Sequence, residues 1–462
     1  MKPFHTRPWL RRVNAVVISL ACCAAAAACE SVDYSQLSSG DTKPPPVVET
    51  VWDVTVDASE EAAKAAIDGE ELFVWGQSKG DLTAYGLATG DELWDAGAEV
   101  ENAWVTEKVI VVETEDGDVQ ALDRESGERR FALEGAEYDD KVAVTTDGVA
   151  VLGKKDREAV LTFHDIDSGE KVWSKEVDGS PTRSTSVLAP TESPHAEGRR
   201  DSAEERIRIA QESPLIYVSD ELEEHYAIHS VANGEQNGSV DVDISSSTDG
   251  FATMTDEGNV LTLVQTEDCT AGYVVVNEEF AEIEVFNMYG GHGCPNSPTS
   301  AQRNFTDGKL YGLTSSDKPY LIDVDTGDVV WTASEEGSPA TFTDGVATYE
   351  RDGYLKAIDV DAAADENERL WDWDFNSIEF PPNYGRLNKR KIITVTGVDY
   401  HAGAGGGVAV MGNEEFSCAV DIKDGEPLWT FPGTVMDLND EYVVLREGYG
   451  DHQNLQVSHI GD

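Results

Sequence analysis

Two histidines four residues apart, in His225-Tyr-Ala-Ile-His229, fall on the same face of a β-strand. A zinc centre needs three or four such ligands; no third is evident beside them, and the pair reads as part of a solvated outer strand among acids. Asp165-Ile-Asp167 and Asp323-Val-Asp325 resemble the opening of a calcium loop but lack its later oxygen ligands and closing Glu. His292 and His401 sit in Gly-rich stretches where a hydrolase could use them, yet no Gly-x-Ser-x-Gly nucleophile elbow accompanies them. Ala402 to Gly407 is Gly-rich without the strand-to-helix setting and Lys of a phosphate cradle. These residues predict no catalytic centre, no metal and no cofactor.

The elements that would position any site come from a repeat. Gly80-Asp-Leu-Thr-Ala-Tyr-Gly-Leu-Ala-Thr-Gly90-Asp-Glu-Leu-Trp94 is matched in register by Gly117 to Phe131, and shorter copies end at Trp173, Trp331 and Trp429. In each a Gly precedes the large aromatic by four positions. A degenerate copy runs from Gly353 to Trp371, with an Ala, Asp and Glu insertion after Asp361. An alternating segment, a polar turn with Gly at positive φ, and a strand presenting Trp make a hairpin. Asp-Gly pairs at 68–69, 147–148, 249–250, 307–308 and 344–345 each lead into a further apolar strand. Together they give four antiparallel strands in roughly 40 residues, the period of a propeller blade. One such sheet cannot bury both faces, so the sheets must stack around an axis with Trp52, Trp94, Phe131, Trp173, Trp331, Trp371 and Trp429 packed between neighbours.

This repeat resembles that of the pyrroloquinoline-quinone-like (PQQ-like) β-propeller family, which reads Gly, apolar, Ala, apolar, Asp, turn, Gly, then Trp on the last strand. The likeness runs from Val51 to the C-terminus, clear in five units and weak between Pro181 and Gln302. It implies an all-β propeller of four-stranded antiparallel blades. Eight are expected, within a range of seven to nine. Val51–Val56 has no preceding repeat, and pairing with C-terminal strands near 441–446 and 454–459 would complete a blade and remove free edges. The family holds quinoprotein dehydrogenases, outer-membrane assembly scaffolds and many bacterial lipoproteins. Its enzymes hold their quinone with a vicinal disulfide, a calcium ion and an Asp base. Here the only adjacent cysteines, Cys22-Cys23, lie in the N-terminal segment, and no Cys-x-x-Cys-His haem attachment exists.

Charge and the N-terminus bear on location. The chain of 462 residues has 89 acidic against 34 basic residues, a formal charge of -55, which repels phosphate backbones and excludes nucleic acid as a partner. Four basic residues in Met1–Arg12 precede an apolar run from Val13 to Ala28, too short for a comfortable membrane span. The run ends Ala26-Ala27-Ala28-Cys29, which resembles a lipobox with Ala where Leu is usual; Cys22 is a poorer competing acceptor. Residues 1–28 therefore read as a lipoprotein signal peptide, Cys29 as the lipidated residue, 29–50 as a Pro- and Ser-containing disordered tether, and 51–462 as the propeller. In an exported chain Cys269 and Cys294 are expected to form a disulfide, and Cys418, inside an apolar strand, to be a buried thiol. Pro190 to Glu205 is polar and aperiodic and reads as a mobile loop, and Gly385 to Gly412 as irregular.

These readings predict a monomeric binding or scaffolding module on the outer face of a bacterial membrane, held only by its N-terminal lipid. Its partner would be a protein or envelope component that the sequence does not name. The alternatives are an enzyme on the same fold, quinoprotein-like or lyase-like, and the sensory part of a separately encoded signalling system.

Overall fold

The computed structural model describes residues 48–57, 63–76, 82–97, 99–114, 116–133, 141–155, 158–177, 185–189, 191–192, 207–220, 225–241, 252–254, 260–265, 271–276, 282–287, 305–306, 309–313, 318–323, 329–343, 345–351, 354–360, 368–374, 401–405, 407–413, 416–431, 433–447 and 452–460. All belong to one compact unit, Pro44–Asp462. The signal peptide, Cys29, Cys269, Cys294 and His292 lie outside the described residues, as does most of the tether.

Among the described residues every regular element is a β-strand. Among these residues nine sheets follow one another in chain order. Sheets 1 to 8 span residues 64–95, 100–132, 141–177, 185–241, 252–287, 305–332, 338–374 and 401–431. Each is built from four antiparallel strands in chain order, apart from an insertion in sheet 4 that adds two strands to sheet 2. Sheet 9 runs Thr50–Asp57, His452–His459, Tyr442–Glu447, Thr434–Leu438, so its fourth strand comes from the other end of the chain.

The nine sheets among the described residues lie within the seven to nine blades expected from the sequence, one above the eight preferred. The difference lies in the weak region. In sheets 1, 2, 3, 6, 7 and 8 the marker aromatic faces Ala84, Ala121, Phe163, Leu321, Ala357 and Ala419 on the third strand. In sheet 4 the same register position, opposite Ile228, is Gly238. Sheet 5 has Val285 opposite Val274. Both sheets have their strands without the tryptophan.

The core is divided among the junctions between sheets. Phe73, Trp75 and Trp94 of sheet 1 pack on Ala103, Val105 and Ile110 of sheet 2. Leu161 and Phe163 of sheet 3 pack on Ile216 and Val218 of sheet 4. Val444, Leu455 and Val457 of sheet 9 pack on Ala65, Leu72 and Val74 of sheet 1. The junction of sheets 9 and 1 is also polar. Buried Asp437 accepts the Ile67 N–H at 2.7 Å, Gln453 accepts the Ala63 N–H at 3.0 Å, and Arg446 donates to the Ala63 carbonyl at 3.1 Å.

First strands converge: Lys64–Asp68 touches Thr434–Leu438, Lys141–Val144 touches Thr185–Leu188, and Ser338–Thr343 touches His401–Gly405. Fourth strands face outward, where Leu93, Val172, Val329 and Val330 are exposed. The stretch read as irregular before Gly412 is, from His401 to Gly405 and Val408 to Asn413, the first hairpin of sheet 8. Its glycines and alanines suit a narrow inner strand.

Candidate functional site

Among the described residues, marker aromatics join their own sheet to the turn of the next. The Trp94 indole N–H donates to the Arg124 carbonyl at 2.6 Å, and its ring lies over Gly127, whose φ is +68°. A Cβ on Gly127 would stand 2.8 Å from that ring, closer than real side chains approach. The same interlock joins Trp52 to Leu87 and Gly90, Trp173 to Val231 and Gly234, and Trp371 to Ile422 and Gly425. Phe131, lacking an N–H, covers Gly169 in the same way. Trp429 donates to the Ile460 carbonyl at 3.0 Å and is fully buried. Trp331 is buried between Tyr311 and Tyr349. The glycine is needed twice, for its left-handed backbone and to admit the indole.

The polar candidates serve the same scaffold. His229 is buried; its Nδ1 lies 3.3 Å from the Gly234 carbonyl and its Nε2 has no hydrogen-bond partner. Burial holds its pKa below the usual histidine value. His164 occupies the equivalent bulge of sheet 3, 3.1 Å from the Gly169 carbonyl, and is lowered for the same reason. In sheets 2, 6, 7 and 8 this position is Leu122, Ile322, Ile358 and Val420, and in sheet 1 it is Tyr85. His225 lies at the far end of its strand, and among the described residues no group of three His, Cys, Asp or Glu could hold a metal. Asp165 accepts from the Ser168 N–H and hydroxyl at 2.8 and 2.7 Å, which lower its pKa. Asp165 is therefore a turn cap, as is Asp421 toward Lys423. Asp325 lies outside the described residues. Cys418 is a buried thiol whose pKa burial raises far above the usual cysteine value.

The feature that the sequence reading missed lies where the first strands converge. Between the first and second strands of sheet 4 the chain leaves and returns. Within that excursion Thr191–Glu192 pairs antiparallel with Ile207–Ala210, although 190–205 had read as a mobile loop; its pairing partner lies just beyond that segment. Ile207–Ala210 then pairs in parallel with Val100–Val105, the first strand of sheet 2, matching Ile207 to Ala103, Arg208 to Trp104 and Ile209 to Val105. Ile207 joins the core of sheets 1 and 2, and Ala210 that of sheets 2 and 3. The Arg208 guanidinium lies 5.5 Å over the Trp104 ring. The Gln211 carbonyl accepts the Thr146 N–H of sheet 3 at 3.3 Å. The inserted strand also touches the first strand of sheet 1, and Thr191–Glu192 that of sheet 5. Chemically this is a strand-in-edge complex made by one chain. The alternation Ile-Arg-Ile in a polar stretch was its one sequence signal.

A family model described as "Outer membrane protein assembly factor BamB" matches residues 48–256. Residues 48–256 are similar to a PQQ-like repeat family over somewhat less than half of the chain. The PQQ-like match thus takes in the interlocks from Trp52 to Trp173 and the inserted strand. No curated protein matches the sequence significantly. Similar solved structures include BamB from Moraxella catarrhalis at 12% identity and TM-score 0.41, covering 89% of this chain and 100% of that one. The quinohemoprotein alcohol dehydrogenase from Comamonas testosteroni has 12% identity and TM-score 0.44, covering 90% and 76%. The C-terminal WD40 domain of Sif2 has 10% identity and TM-score 0.48, covering 90% and 99%.

Proposed function

We propose that this chain is a binding or scaffolding propeller of the bacterial envelope, exported and held at the membrane by a lipid on Cys29. Nine blades close into a ring when Thr50–Asp57 completes the last sheet. One observation carries the binding reading: the only strand added to an inner edge among the described residues recognises that edge with backbone pairing, apolar contacts and one cation. Strand addition of this kind is how exposed sheet edges bind extended protein segments. The description of the matching family model, an outer membrane assembly factor, supports a protein partner in the envelope. The net charge of -55 favours a cationic partner and fast encounter with it.

The test is cross-linking and purification of the anchored protein from its own envelope, beside a Cys29→Ser variant. A discrete partner recovered in stoichiometric amount with the anchored form supports the reading. A protein that instead purifies with quinone absorbance and oxidises alcohols overturns it in favour of an enzyme.

A further inference from the structure

We propose that the inner edge of Val100–Val105 is a peptide-strand binding site, which accepts in parallel an extended segment with arginine between two β-branched residues and which this chain fills in cis with Ile207–Ile209. The inference rests on the binding reading and gives it a location and a ligand class.

The recognition is contained in a few residues. Ile207 sinks among Ala66, Ala103 and Val105. Arg208 lies over Trp104. Beside it burial raises the pKa of the Glu113 carboxyl; the 2.8 Å hydrogen bond from the Asn102 amide opposes that rise most, and the Arg208 guanidinium opposes it less. Ala210, small enough to pass between sheets, enters the next core. Ladder, apolar socket and cation seat lie in one strand's length. The excursion's two ends stay in sheet 4, where Leu188 pairs with Tyr217. Sheet 4 thus contributes the covalent leash and none of the recognition. A separate peptide with the same pattern meets the same donors, the same socket and the same ring. Among the described residues the other first strands carry no added strand, so the site is particular to sheet 2.

The test uses the full chain and a fluorescein-labelled peptide of residues 205–212, Glu-Arg-Ile-Arg-Ile-Ala-Gln-Glu. The double variant Ile207→Asp/Arg208→Glu releases the cis strand. It is expected to bind the peptide at least ten-fold more tightly than the unaltered chain. A peptide carrying Glu in place of the residue-208 arginine should bind at least ten-fold more weakly. Hydrogen exchange of a fragment covering 100–105 should speed up in the variant and slow again on adding peptide. If the double variant does not fold, a chain with 190–211 replaced by four glycines takes its place. Equal binding by unaltered and released chains, no binding by a released chain with native circular dichroism, or binding without protection of 100–105 overturns the site. Such a failure would leave any partner captured from the envelope in place, whereas finding no partner there would sink the broader reading.

Discussion

Replacing Gly127 by Ala should be among the most damaging single-methyl changes in the described chain. Two effects add. At φ +68° an L-residue costs about 1–2 kcal/mol. The new Cβ would also stand 2.8 Å from the Trp94 ring. That ring is buried and fixed by its hydrogen bond to the Arg124 carbonyl, so relief requires moving an indole or a strand, about 1–3 kcal/mol for an overpacked site. The expected total is about 2–5 kcal/mol. Gly69 is the internal control: its φ is +62° and nothing lies within 4 Å of a Cβ placed there, so Gly69→Ala should cost only about 1–2 kcal/mol. Trp94→Ala removes the obstacle, and in that background Gly127→Ala should fall to the cost of Gly69→Ala. The coupling energy of this double-mutant cycle should be about 1–3 kcal/mol, the overlap part alone. Urea unfolding followed by far-ultraviolet circular dichroism measures all four. If Gly127→Ala and Gly69→Ala cost the same, or Trp94→Ala leaves the Gly127→Ala penalty unchanged, the interlock does not couple neighbouring sheets.

Three further outcomes follow from the described contacts. Because burial keeps His229 neutral below the pH at which the unfolded ring takes a proton, unfolding takes up protons and stability falls as pH drops below about 6.5, by at most about 1.4 kcal/mol per pH unit. His229→Leu, which copies Leu122 and removes an unpartnered nitrogen, should leave stability at neutral pH equal or higher and flatten that slope in urea titrations between pH 7 and 5. Arg124 ties sheet 2 to sheet 1, bonding Asp68, Glu71 and the Thr106 carbonyl; its removal should cost about 3–5 kcal/mol, whereas Arg130→Ala, on the exposed pair with Asp123, should cost under about 1 kcal/mol in the same denaturation assay. The Cys418 thiol should resist a maleimide in the native chain and react at once in denaturant, as mass spectrometry reads directly, since burial removes both access and thiolate.

Much of the architecture was legible because it is local. A turn Gly four residues before Trp is written in consecutive residues, and so are the alternating strands. What the sequence hid is long-range. Sheet 4 is only weakly legible because Gly238 stands where the tryptophan should be, and sheet 5 because its fourth strand carries Val285 there. Strand pairing does not need the marker, only the interlock does. The inserted strand was hidden for a different reason. Ile207–Ala210 is four residues long, and its partner strand lies about a hundred residues earlier in the chain, so no periodicity links them. His229 was noticed for its spacing from His225, yet its ring holds a turn carbonyl inside the protein. Residue type alone does not separate a ligand from a turn anchor.

The most direct test of ring closure is a disulfide between the chain's two ends. Thr55 faces Asn454 across the strands Thr50–Asp57 and His452–His459, and Thr55 is exposed, so Thr55→Cys/Asn454→Cys introduces the pair without touching the core. After mild oxidation the unfolded chain should be a near-complete circle. It should migrate faster than the reduced form on a denaturing gel, with each single-cysteine variant unchanged. Linked dimers, or two thiols that stay reduced under conditions that oxidise a model pair, would mean that the first strand does not complete the last sheet.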